Sequence, residues 1–129
     1  MLVNKTKRMY HKGKALEVPK EEVEQIKLAD YCKIKRLPHT HIANERMASV
    51  NFKKKLKAMG VSSGFPDMLI FLPSKILFVE LKREKKSLTK VSDYQEEWIE
   101  TINLYDYAKA EVCYGAGAAI DLIEKELRG

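Results

Sequence analysis

No apolar run in this chain is long enough to span a bilayer. The longest, residues 68–72 and 76–79, fall far short of the roughly 20 residues that a spanning helix needs. The basic N-terminus is followed by no apolar h-region and no small-residue cleavage site, so the expectation is an intracellular protein without a secretory signal or membrane segment. Cysteine is scarce. Cys32 and Cys113 show no C-x-x-C spacing, which argues against a zinc knuckle or a redox pair and leaves buried free thiols as the expectation. Internal repeats and low-complexity segments are also lacking. What is present is globular composition, 45% hydrophobic and 33% charged over 129 residues, enough for one domain with a real core.

The net charge of +6 is unevenly spread: residues 1–20 carry +5, residues 21–90 carry +7 and residues 91–129 carry −6. The first two thirds can therefore face a polyanion, drawn by charge and counterion release. By itself this is equally compatible with a solvated lysine-rich surface.

Residues 1–15 have no clear period and many cations, and read as a basic N-terminal arm ahead of a domain over 16–129. Pro19 and the early glutamates fit the start of a helix over 20–35, with Glu21, Gln25, Leu28 and Cys32 on its inward stripe and Glu24 outward. Glu22, near the stripe's edge, is the alternative to Glu21. Leu37-Pro38 ends the helix and a short strand follows over 39–43, with His39 and His41 on one face. Two histidines without a third ligand fall short of a metal site, which favours a structural or DNA-contact role for both. Residues 46–59 are ambiguous; Lys53, Lys54, Lys55 and Lys57 suit either a solvated helix or one facing DNA. The turn formers of 60–66 make a loop. The runs DMLIFL and ILFVELK then form a hairpin of two central strands buried on both faces. Ser92-x-x-Gln95 opens a helix with Trp98, Ile99, Ile102 and Tyr105 on its apolar stripe. A strand over 110–114 leads through Gly115 and Gly117 into a last helix with Ile120, Ile123 and Leu127 inward. The element order is α, β, possible α, β, β, α, β, α: a single α/β domain with a central mixed sheet flanked by helices.

A buried strand is a costly place for charge unless the charge is paired or metal-bound. Yet ILFVELK ends in Glu80-Leu81-Lys82, two charges that leave the same strand face. Asp67 starts the neighbouring strand, and the hairpin can bring both carboxylates to one end. Two carboxylates and a lysine are hard-oxygen ligands for Mg²⁺ or Mn²⁺ beside a cation for water or phosphate, the requirements of phosphodiester hydrolysis. An ordinary ion pair at a strand end is the plainer reading of Glu80 and Lys82.

Gly64-Phe-Pro-Asp67 and Glu80-Leu-Lys82, preceded by Glu21-x-x-x-Gln25 and Asn44-Glu45 and followed by Gln95 and Cys-Tyr-Gly, resemble the PD-(D/E)xK nucleases, which have a restriction-endonuclease-like core. Within them the resemblance is to the VRR-NUC domains, from about residue 20 to the C-terminus. It implies that Glu21, Asp67 and Glu80 bind the metal together with the Leu81 carbonyl, that Lys82 is catalytic, and that Gln95 supports Lys82 or the water. Gln95 could equally be only a helix cap. Gln25 either joins the site or braces Glu21. Asn44 and Glu45 are candidate site or DNA contacts; Glu45 touches a second metal or DNA, or merely pairs with a lysine. If the nuclease reading holds, Lys53, Lys54, Lys55 and Lys57 meet phosphates. Stand-alone domains of this kind resemble phage and bacterial proteins that form homodimers and cut branched DNA such as Holliday junctions, which implies the cytoplasm of a bacterium or phage-infected host. A two-fold dimer suits paired cuts in a four-way junction. The rival readings are a non-catalytic DNA-binding module using the basic face of residues 1–57, and a module that binds an acidic protein.

Overall fold

The computed structural model describes residues 18–42 and 49–129. The basic arm of 1–15 and the pair Asn44 and Glu45 lie outside the described residues. The elements are α1 (Glu21–Ile34), β1 (His39–His41), α2 (Val50–Ala58), β2 (Met68–Phe71), β3 (Ile76–Lys82), α3 (Asp93–Ile102), β4 (Ala108–Tyr114) and α4 (Ala116–Arg128), with a 3₁₀ turn at Lys86–Leu88. The ambiguous stretch before residue 60 is thus helical, capped by the Ser49 hydroxyl, which accepts from Phe52 N. No helix among the described residues is long and apolar enough to cross a membrane.

The four strands form one mixed sheet in sequence order. β1–β2 and β2–β3 are antiparallel, and β4 joins β3 in parallel after the α3 crossover. The hairpin strands β2 and β3 are therefore central, as their apolar runs imply. Burial on both faces does not follow, however. Met68, Ile70, Leu77, Val79 and Leu81 point to one face and are at most 1% exposed, whereas Phe71 on the other face is 42% exposed. The difference lies in the cover. α1 and α4 close the first face with Leu28, Cys32, Ala116, Ala119, Leu122 and Ile123. The second carries α3, where Phe65 stacks edge-on against both Phe78 and Trp98. Burying each large aliphatic side chain of the closed face stabilises the fold by about 1.5–3 kcal/mol.

Local chemistry sets the ends of the elements. α1 stops where Arg36 adopts a left-handed conformation (φ 59) and Leu37 N bonds back to Cys32 O, a Schellman closure just before Pro38. The α3 capping box forms as the Ser92-x-x-Gln95 spacing implies. Two inward assignments fail. Tyr105 falls beyond the end of α3, half exposed against the Tyr107 ring, because the helix is already closed at Asn103. Leu127 is 40% exposed in the last turn of α4; the inner face is carried earlier, by Ala119, Leu122 and Ile123. Cys32 and Cys113 are free and buried, and burial raises their thiol pKa values to about 11 and about 12.

Gly64 locks the loop before β2 against α3. It sits at φ +82, and a Cβ there would come within 2.7 Å of Tyr94 backbone. Both the left-handed conformation and the close approach exclude a side chain. Gly64→Ala is expected to lower stability by about 2 kcal/mol or more, measured as a shift in urea midpoint. An unchanged midpoint would show that this loop yields freely.

Candidate active site

The antiparallel register places Met68 opposite Val79, so one further step sets Asp67 against Glu80. Glu80 and Lys82 both leave β3 on the α3 side, two residues apart. Asp67, Glu80 and Lys82 are 6%, 3% and 6% exposed: three ionisable groups gathered at one end of the central hairpin.

Hydrogen bonds fix the group. Asp67 Oδ2 accepts from Leu81 N at 3.2 Å, tying the loop carboxylate to the next strand. Lys82 Nζ lies 3.4 Å from Glu80 Oε2. Gln95 Nε2 donates to the same Glu80 oxygen at 2.8 Å, while Gln95 Oε1 accepts from Ser92 N. Cap and site residue are therefore compatible for Gln95, although its contact is with Glu80 rather than the expected Lys82: one end of the amide caps α3 and the other holds Glu80. Glu80 Oε1 is buried without a hydrogen-bond partner.

This environment raises the Glu80 pKa from 4.5 to about 7. Burial is the main cause, repulsion from Asp67 adds to it, Lys82 opposes it, and Glu21 contributes a smaller repulsion. Glu21, half-buried in the first turn of α1, thus acts on the Glu80 carboxylate. Among the described residues no three His, Cys, Asp or Glu side chains are gathered closely enough to hold a metal ion. The donors on hand are the Asp67 and Glu80 carboxylates, with one Glu80 oxygen uncommitted. Hard oxygens in this buried setting fit a divalent cation of the Mg²⁺ or Mn²⁺ kind.

Glu24 corrects the helix-wheel reading, which faced it outward. It is 2% exposed, and its Oε1 accepts from Ala116 N at 2.8 Å, at the N-terminus of α4. A carboxylate at that end of a helix satisfies an orphan N–H and complements the dipole. The same turn is bonded to the catalytic-strand candidate: Gly115 N donates to Lys82 O at 2.8 Å. Gly115 sits at φ +92, a conformation in which an L side chain is strained. The spacing Glu24, Leu28, Cys32, in steps of four, was the signal that could have found this inward glutamate. Glu22, the alternative to Glu21, is exposed.

The remaining candidates are dispersed. The Gln25 amide faces the Met68 sulfur. His39 Nδ1 is 2.8 Å from Leu37 O, and His41 is exposed on the edge strand. Lys53, Lys54, Lys55 and Lys57 are all exposed along α2.

Fold and site together give an α/β domain of the restriction-endonuclease-like class, with its acidic and basic groups at the end of the central hairpin. The VRR-NUC domain model matches residues 15–117, and the chain belongs to that family of nuclease domains. A solved structure described as a VRR-NUC domain protein superposes with a TM-score of 0.71 at 21% identity, covering 88% of this chain and 92% of the other. A second, described as a VRR-NUC domain, gives 0.58 at 23% identity, covering 81% and 94%. At these identities the likeness concerns the fold. No curated protein matches the chain.

The raised pKa has a stability consequence. Between pH 4.5 and about 7 the folded state holds a proton on Glu80 that the unfolded state releases. The Glu80 contribution is therefore fully present at low pH and is lost as pH rises through about 7. In chelator, Glu80→Gln is expected to gain stability relative to the unsubstituted protein across that window, by urea unfolding. A difference that stays constant from about pH 4 to about pH 8 contradicts the assignment.

Proposed function

We propose that this domain is a Mg²⁺- or Mn²⁺-dependent deoxyribonuclease, an endonuclease selective for branched DNA such as Holliday junctions and acting as a homodimer. The observation that carries the catalytic part is the buried cluster of Asp67, Glu80 and Lys82, with Glu80 Oε1 left unpartnered. Two carboxylates buried close enough to repel each other destabilise the fold, and a bound cation would relieve that repulsion. Branched-DNA selectivity and the dimer rest on the family resemblance alone.

Asp67 and Glu80 would hold the cation, joined by the Leu81 carbonyl and by Glu21, whose charge already acts on Glu80. When bound, the cation supplies a Lewis acid for the phosphodiester and a more acidic water. Lys82 Nζ, beside Glu80, is placed to orient that water or to stabilise charge developing on the phosphate. Gln95 fixes the Glu80 oxygen that Lys82 shares, so the carboxylate keeps one orientation. The exposed lysines of α2 supply sequence-independent attraction for the backbone.

Asp67→Ala, Glu80→Ala and Lys82→Ala are each expected to reduce junction cleavage in Mg²⁺ by about 100-fold or more. Gel assays comparing four-way junction, flap, nicked, single-stranded and linear DNA test both the assignment and the substrate preference. Unchanged cleavage by all three variants would leave the non-catalytic DNA-binding reading. Cation and proton also compete for Glu80. Cleavage is therefore expected to rise with pH through a midpoint at or below about 7, and the midpoint to move down as Mg²⁺ is increased. A midpoint indifferent to Mg²⁺ would separate the titrating group from the metal site.

A further inference from the structure

A cavity of about 460 Å³ opens between the turn after α2 and the first turns of α3. Its lining includes Lys57, Ser62, Ser63, Tyr94, Glu97 and Trp98. This volume lies within the range of small-ligand sites. Tyr94 is 61% exposed, so a large aromatic surface faces solvent at the cavity. Its ring is open to stacking with an incoming base.

The carboxylate cluster does not line the cavity, but two segments of the chain run from one to the other. Ser63 precedes Asp67 by four residues, which span at most about 14 Å of extended chain. That is about four nucleotides along a B-form strand. On the other wall, Tyr94 adjoins Gln95, whose amide holds Glu80. The lining chemistry narrows the ligand further. Aromatic rings offer stacking, while the exposed Ser62 hydroxyl and the Glu97 carboxylate offer hydrogen bonds to a polar ring edge. Glu97 also disfavours a phosphate inside the cavity, and Lys57 favours one at its rim.

We propose that this cavity is a nucleobase subsite, in which an unpaired base close to the scissile bond stacks on Tyr94 and Trp98. The inference rests on the nuclease reading and, within branched DNA, favours forms with unpaired positions such as a flap over a fully paired four-way junction. A base already out of the helix enters without the unstacking cost that a paired one incurs.

Trp98 is the single tryptophan of the chain, so intrinsic fluorescence reports on the cavity directly. Titration in chelator with an eight-residue oligothymidylate is expected to change Trp98 emission saturably. An abasic oligomer with the same number of phosphates should bind about tenfold more weakly. Tyr94→Ala should erase most of that difference. Ser62→Leu, which fills the cavity from an exposed position without adding a stacking ring, should do the same if the tyrosine variant proves unfolded by circular dichroism. Equal binding of the two oligomers to the unsubstituted protein overturns the proposal, as does full retention of the base-dependent difference in a folded variant. Cleavage in Mg²⁺ is scored separately. Cleavage without base-dependent binding sinks the subsite alone, and base-dependent binding without cleavage sinks the nuclease reading alone.

Discussion

Glu80 sits near the end of a central strand at 3% exposure, and much of the structure around it can be understood as management of that one buried carboxylate. Lys82 and the Gln95 amide share one of its oxygens, and the other has no partner. Asp67 is brought opposite it by β-hairpin register, which adds repulsion where the burial cost is already high. An ordinary structural ion pair would be built with the opposite aim, balancing charge and satisfying both oxygens. The strain is held in place because Glu80 is continuous with the tightly packed run Leu77, Val79 and Leu81, whose burial keeps β3 in register.

The fold was largely legible because it rests on period and punctuation. The apolar runs of β2 and β3 and the Ser92-x-x-Gln95 cap are local signals, and each corresponds to an element of the structure. Where the reading failed, the deciding partner was remote in sequence. Glu24 was assigned to solvent, but its acceptor role depends on Ala116, 92 residues away. Its spacing from Leu28 carried a hint, yet three glutamates in the first turn of α1 all agree with the helix dipole. Only the docked α4 distinguishes them. The half-exposed second face of the hairpin was equally hidden, because composition does not reveal that α3 covers only part of it.

The candidate site divides in the same way. Asp67, Glu80 and Lys82 were readable because charge at the end of an apolar strand is anomalous and because strand alternation fixes their common side. Gln95 was ambiguous between cap and site residue, and its two-ended amide makes those alternatives one arrangement. This has a physical advantage. A side chain whose oxygen is already committed to the Ser92 backbone loses little further freedom when its nitrogen holds Glu80.

Glu24 links this centre to the rest of the domain. Its carboxylate receives Ala116 N, and the preceding Gly115 N is bonded to Lys82 O, so α1, α4 and β3 meet through two backbone amides. Glu21 lies one turn from Glu24 on α1 and acts on Glu80 across the gap. Displacing α1 would therefore disturb a core helix and the carboxylate cluster together, since one rigid element carries both glutamates. The proposed roles of the three carboxylates differ in cost as well. Glu80 rides on β3, and the bond from Leu81 N holds Asp67, in the loop before β2, beside that strand. Glu21 is delivered by a helix whose docking depends on a buried charge meeting a helix end. That ties the position of Glu21 to the Glu24 contact at the start of α4.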